Sequence, residues 1–298
     1  MHRLEALRRR LLSPARLEVD LLLIVGLLLT WQAVRIPLEG SVVVSMDHAR
    51  TLLSVERTLH VDVEAWLLDT VHGARGFLLF AYEHIHLPLL FGFLAVARLA
   101  APARYPLIRL TLFLSFVPSV LLIGLIPVAP PRWIPELGSA GPPAGSELTA
   151  TTAQLLQNST AAITSQHFGY AFLIAAGSLW LWPRSWLARL TVLYPVFVFI
   201  VILGTANHYV VDCLIGALTF CFGAAATALI AGGVPRPTVE RAPTRVVVAC
   251  AAGAVLIAAN GVITAAVLSI AIVAIVAVAR AQRGDREARE PLEAADRA

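Results

Sequence analysis

The sequence predicts an all-α protein, a polytopic bundle of transmembrane helices, on two observations. Hydrophobic residues make up 58% of the chain and charged residues 14%, with a mean hydropathy of +0.77, whereas soluble domains use about 45–50% apolar and about 25% charged residues. The apolar residues are also gathered into runs of about the 20 residues that one crossing requires, parted by short clusters of arginine.

The first 16 residues form a basic N-terminal segment carrying Arg3, Arg8, Arg9 and Arg10. That segment resembles the charged region of a signal peptide, but the run Leu17–Ile36 behind it is long enough to span and no small-residue cleavage site follows. It reads as a retained first helix with Glu18 and Asp20 at its interfacial start. From Met46 to Thr70, apolar Leu52, Leu53, Leu59, Val63, Trp66 and Leu67 are interleaved with Arg50, Glu56, Arg57, Asp62 and Glu64. This amphipathic pattern predicts one or two helices lying in the membrane interface.

Further spans are predicted at Gly76–Ala97, Ile108–Ala129, His167–Trp182, Trp186–Thr205 and Val210–Ala231. The stretch Val246–Ala279 is too long for one crossing and holds the turn signal Asn260-Gly261, which predicts a hairpin of Val246–Ala259 and Val262–Ala279. The chain thus divides into a cytoplasmic N-terminus (1–16), a main transmembrane domain (17–232), a C-terminal hairpin (245–280) and a tail (281–298). The tail mixes Arg, Asp and Glu without apolar period and reads as disordered.

Arginine sets the orientation. The N-terminal cluster, Arg98/Arg104, Arg184/Arg189, Arg236/Arg241/Arg245 and Arg280/Arg283 all fall on one side if there are about eight crossings, and that side is the cytoplasm. Both termini are then cytoplasmic, and segments 37–75, 130–166 and 206–209 face outward. The second of these is rich in Pro, Gly, Ser and Thr, predicts irregular structure and holds the sequon Asn158-Ser159-Thr160.

Several functions are excluded by composition. The net charge of +4 lies in loop clusters and on no single polar face, which argues against nucleic acid as a partner. The chain has no lysine, so neither a P-loop lysine nor a Schiff-base lysine exists. Cys213, Cys221 and Cys250 lie in apolar runs without C-x-x-C spacing and read as small core residues.

Three short segments carry polar chemistry. In Asn207-His208-Tyr209-Val210-Val211-Asp212, His208 and Asp212 are four apart at the start of a predicted span. On a helix they share a face, so the carboxylate can hold one imidazole nitrogen and leave the other to act as nucleophile or base. The bland alternative is an interfacial pair.

In Thr164-Ser165-Gln166-His167, a hydroxyl and a histidine stand at a predicted helix N-terminus, which suits an anion, though Ser165 could equally be a plain N-cap. In Pro130-Pro131-Arg132-Trp133, Arg132 is the lone arginine of a long outer loop. Its planar fork matches phosphate oxygens, and an interfacial arginine beside Trp133 is the alternative. The charge rule puts all three segments on one face.

These residues resemble the type 2 phosphatidic acid phosphatase (PAP2) superfamily, and within it the inositolphosphotransferase, inositol phosphorylceramide synthase-like branch. The resemblance runs from about Ala49 to Ala217 and rests on Glu56 and Glu64, Tyr82-Glu83-His84-Ile85-His86-Leu87-Pro88, Pro130-Pro131-Arg132, Ser165-Gln166-His167 and His208-Tyr209-Val210-Val211-Asp212. It implies a core of about six helices, with the C-terminal hairpin added. It implies that His208 attacks phosphorus to give a phosphohistidine, that Asp212 supports His208, and that His167 protonates the leaving alkoxide. Arg132, Ser165 and His86 would contact substrate, with no metal and no cofactor.

Three positions depart from the broad family: its first-motif lysine is missing, Thr164 stands where proline usually precedes the Ser-x-His, and Ile202 stands where an arginine is usual. The missing arginine favours the inositolphosphotransferase-like branch. The expected substrate is a lipid phosphate or polyprenyl diphosphate in the outer leaflet, with water or a polyol or sugar as acceptor, and the expected location is the cell membrane with the site extracytoplasmic. A non-catalytic transporter or scaffold with a degenerate pocket is the alternative. A serine hydrolase using Ser165 lacks the Gly-x-Ser-x-Gly elbow, and a metal site of His86, His167, His208 and Asp212 lacks helical zinc spacing.

Overall fold

The structure, a computed structural model, describes residues 2–13, 17–38, 41–137 and 161–233. The predicted C-terminal hairpin, the tail, the sequon and Cys250 lie outside the described residues. Among those described, the protein is helical, with a single isolated parallel bridge between Val128 and Ala161 in place of any strand.

Helix α1 is His2–Leu12 and α2 is Leu17–Leu38, followed by the amphipathic pair α3 (Val42–Thr58) and α4 (Glu64–Thr70). Then come α5 (Arg75–His84), α6 (His86–Ala100), α7 (Tyr105–Leu125), α8 (Gln166–Leu181), α9 (Trp186–Leu190), α10 (Leu193–Gly204) and α11 (Val210–Ala231). Helix α11 packs chiefly against α7 and α8, α10 against α8 and α5, and α2 against α7. Among the described residues, three helical stretches are long and apolar enough to cross a membrane: Tyr105–Leu125, Trp186–Gly204 and Val210–Ala231. A fourth is added if the bent pair His72–His84 and His86–Ala100 counts as one span. Outward-facing Leu121, Leu125, Leu193, Leu214, Phe222 and Leu229 are exposed, as lipid-facing side chains are.

The predicted span Gly76–Ala97 is bent by 46°. Pro88 is the cause: without an N–H it cannot bond the carbonyl four residues back, at His84, where α5 ends. Asp20 also departs from its expected interfacial place. It is 1% exposed and accepts from Arg98 Nε at 3.0 Å and from Arg109 Nη1, binding α2 to α6 and α7. Two guanidinium groups supply the partners that a buried carboxylate requires. Arg109 also donates to the Leu11 carbonyl at 3.0 Å, and Arg8 donates to the Ala231 carbonyl at 2.7 Å. The end of the bundle that holds the α6–α7 turn is thus the arginine-rich end. Cys213 is buried, whereas Cys221, expected in the core, is exposed.

An apolar cavity of about 340 Å³ lies between α7, α8 and α11, lined by Ile108, Phe172, Gly177, Phe220 and Thr227 among others. It holds none of the predicted site residues. Those stand at the opposite end of the bundle, where α7 leaves for Arg132 and where α8 and α11 begin.

Candidate functional site

The first turn of α11 is held by three carboxylates. Asp212 Oδ2 accepts from the Tyr209 N–H at 2.9 Å, Glu64 Oε1 from Val210 N–H at 3.0 Å and Glu56 Oε1 from Val211 N–H at 2.7 Å. Three successive backbone donors that a helix start leaves orphaned are thereby satisfied, one locally and two by helices α3 and α4. Negative groups at this terminus also complement the helix dipole.

Glu56 Oε2 and Glu64 Oε2 are buried without a further donor. Burial, followed by the hydrogen bond with Glu64 and the charges of Glu64 and Asp212, pushes the Glu56 carboxyl up to about 9. A proton held between the two carboxyls satisfies both orphan oxygens.

Just before this turn, the chain reverses through Thr205, Ala206 and Asn207, with Ala206 at φ 55° and the Asn207 N–H bonded to the Ile202 carbonyl at 3.0 Å. The reversal presents His208, which is 1% exposed. Its Nδ1 donates to the Ala162 carbonyl at 3.0 Å and lies 3.4 Å from Asp212 Oδ2. The shorter contact fixes the tautomer: the proton sits on Nδ1, and Nε2 keeps its lone pair. Burial lowers the His208 pKa to about 4, against the opposing pull of the Ala162 carbonyl and with a lesser push from the nearby Arg132 charge. The imidazole is therefore neutral at physiological pH.

Arg132 is strapped to the same turn. Its backbone N–H donates to the Ala206 carbonyl at 2.9 Å, and its guanidinium donates to Asn207 Oδ1. Asn207 Nδ2 in turn donates to Thr205 Oγ1 at 2.7 Å, and Tyr209 Oη to the Ala129 carbonyl at 3.1 Å. Three of these contacts bind segment 129–132 to segment 205–209, although some 75 residues separate them in sequence.

Ser165 is the N-cap of α8; its Oγ accepts from the Phe168 N–H at 3.3 Å and is fully buried. The Ser165 N–H donates to the Asp212 carbonyl at 3.2 Å, which seats the start of α8 on α11. Gly216 permits this approach, since a Cβ there would lie 2.4 Å from the Ser165 carbonyl oxygen. In the first turn of α8, the His167 ring stands with its centroid 6.3 Å from that of His208, 4.7 Å from that of His86 and 4.4 Å from that of Tyr82. Its Nδ1 is buried without a partner. His86, 2% exposed at the start of α6, bonds through Nδ1 to the Tyr194 hydroxyl at 3.1 Å.

Of the six residues singled out in the sequence, His208, Asp212, Arg132, Ser165, His167 and His86 all gather at this end of the bundle. His84 does not join them; its Nδ1 bonds the Phe80 carbonyl at 3.1 Å, and it stacks on Phe80. Sequence reading assigned no part to Ala162, Tyr194 or the side chain of Asn207, and it gave Glu56 and Glu64 no structural task. Asn207 alone had a local signal, its place beside His208. Among the described residues, no three His, Cys, Asp or Glu side chains form a group suited to a metal ion.

No curated protein and no solved structure matches the chain. The sequence profile described as PAP2 superfamily matches residues 50–226, which runs from the second half of α3 through most of α11 and takes in every residue of the site described above. Because that match covers more than half of the chain, the protein belongs to the PAP2 superfamily.

Proposed function

We propose that this protein is a membrane lipid phosphatase or head-group phosphotransferase working through a phosphohistidine on His208 at the extracytoplasmic face. The superfamily carries phosphatase-type activity on lipid phosphates. The observation that supports the finer reading is the His208 tautomer: Nδ1 is committed to the Ala162 carbonyl, so Nε2 is an unprotonated nucleophile beside Arg132.

In this mechanism His208 Nε2 attacks phosphorus, and the bond to the lipid or head-group oxygen breaks. His167 gives a proton to the departing alkoxide, and Arg132, steadied by Asn207, takes the developing charge on the phosphoryl oxygens. Asp212 supports His208 by setting the turn from which it projects. Ser165 presents the positive end of α8 to the phosphoryl group. Water or an alcohol then attacks the P–N bond, returning its proton to His167. Ile202 in place of an arginine, and the absence of lysine from the chain, leave Arg132 as the main cation. That favours the inositolphosphotransferase-like branch, with a polyol or sugar as acceptor. Arginine enrichment at the opposite end of the bundle supports the extracytoplasmic assignment.

The test is to purify the protein and its His208→Ala variant and follow phosphate release from lipid phosphates and polyprenyl diphosphates, with and without polyols. Activity in the wild type alone, with acid-labile phosphorylation of the protein, is expected. Equal activity in both removes His208 as nucleophile. Head-group transfer without phosphate release selects the transferase.

A further inference from the structure

Behind the two histidines of the mechanism stands a third that it leaves without a step. His86 is held by α6, away from α11, and its ring meets that of His167 at 4.7 Å between centroids and 70° between planes. Each ring carries one buried nitrogen without a partner: Nε2 on His86 and Nδ1 on His167. The remaining nitrogen of His86, Nδ1, is engaged by the Tyr194 hydroxyl of α10 at 3.1 Å. Two adjacent buried ring nitrogens with no other partner are costly unless they satisfy each other, either by a small ring rotation or through one water.

We propose that Tyr194 and His86 form a positioning relay that fixes which nitrogen of His167 exchanges protons with substrate. The proposal rests on His167 as acid and base in the phosphoryl-transfer reading above. With the His86 proton on Nδ1 and donated to the Tyr194 oxygen, His86 Nε2 offers a lone pair to the N–H at His167 Nδ1. His167 Nδ1 then keeps its proton throughout, and only Nε2 changes.

In the first half-reaction the His167 Nε2 proton passes to the leaving alkoxide as the P–O bond breaks and the P–N bond to His208 forms. In the second, the acceptor hydroxyl loses its proton to the same Nε2 as its oxygen bonds to phosphorus and the P–N bond breaks. No proton leaves the relay, and each half-reaction balances. A neutral imidazole does here what a carboxylate does for a histidine elsewhere: it orients the ring without a buried negative charge beside a phosphate.

The relay predicts a dependence on leaving group that a purely structural residue would not produce. Long-chain alkyl phosphates leave as basic alkoxides and require protonation, whereas para-nitrophenyl phosphate does not. In the full-length protein, His86→Gln should lower kcat/KM, which reports steps up to departure of the leaving group and not the shared breakdown of the phosphohistidine, at least tenfold more for the alkyl phosphate than for para-nitrophenyl phosphate. Tyr194→Phe, which removes only the hydroxyl, should show the same selectivity at several-fold size, and it tests the relay even if His86→Gln fails to fold. Equal losses on both substrates in Tyr194→Phe, or no loss on either, overturn the relay. A wild type that turns over neither substrate overturns the phosphoryl-transfer reading and the relay with it, whereas a wild type active through His208 with a non-selective Tyr194→Phe overturns the relay alone.

Discussion

The carbonyl oxygen of Ser165 lies 2.4 Å from where a Cβ on Gly216 would stand, so the two helices that bring the histidines together touch backbone to backbone. The three atoms nearest a new methyl group at Gly216 all belong to the Ser165 main chain, which cannot swing aside as a side chain would. Gly216→Ala is expected to cost about 1–3 kcal/mol of stability through overpacking and to displace His167 from His208. Thermal unfolding and turnover measured together should both fall. Gly76→Ala, in α5 with open space around it, should leave stability unchanged or raise it slightly.

On the proposed function, with His208 as nucleophile, its neutral state sets the acid limb of activity. Its pKa in the folded protein is about 4 against an ordinary value of 6.5. Nε2 therefore stays unprotonated as pH falls from 6.5 towards 4. A kcat/KM profile corrected for ionisation of the substrate should hold down to the vicinity of pH 4. Folding stability linked to this group is present above pH 6.5 and is lost as pH falls through 4, because the unfolded chain then binds the proton more readily. An acid limb near 6.5 would contradict the burial argument.

Arg132 should resist replacement by lysine. Its guanidinium must reach the Asn207 side chain and still present a fork to substrate, which an ammonium group cannot do. Arg132→Lys is expected to lower kcat about a hundredfold, the scale of losing one preorganised donor to a developing oxyanion. Asn207→Ala should fall between wild type and Arg132→Lys, because the arginine remains but loses its anchor. Steady-state kinetics on one lipid phosphate settles the order.

The Glu56 carboxyl makes stability fall on the alkaline side. In the folded protein it keeps its proton up to about pH 9, facing Glu64 from α4 and Asp212 from α11, whereas in the unfolded chain it releases the proton near its ordinary 4.5. The unfolded state thus binds fewer protons between these values. Stability is full below pH 4.5, declines as pH rises and has lost this contribution once pH passes 9. Glu56→Gln keeps an acceptor for the Val211 N–H and cannot lose a proton, so its melting temperature should vary less across the same window. A wild type whose melting temperature rises from pH 5 to 9 would contradict the shared-proton arrangement.

How much of this was legible in the sequence depended on distance along the chain. The apolar runs are local, and helices form over most of them; the four-residue spacing does bring His208 Nδ1 to 3.4 Å from Asp212 Oδ2, but His208 stands before α11 and its nearer partner is the Ala162 carbonyl. The bend before α6 was also written locally, in Pro88, but the apolar run around it masked its effect. What sequence reading missed is tertiary. The partner that fixes the His208 tautomer is a main-chain carbonyl 46 residues away, and a carbonyl has no residue identity to betray it. Tyr194 meets His86 across 108 residues from within an apolar run, where a tyrosine reads as one more large core side chain. Asp20 was misplaced because its two arginine partners lie on other helices.

The two glutamates that reach from α3 and α4 to α11 have a mechanical meaning beyond capping. They couple the start of α11, beside His208, to a helix pair that carries exposed Trp66 on α4 and exposed Leu59 just past the end of α3, at 65% and 60%. Neither helix can tilt or slide without pulling on the Val210 and Val211 N–H groups at the start of α11. A movement of either helix is thus transmitted to the start of α11, beside the turn that presents His208.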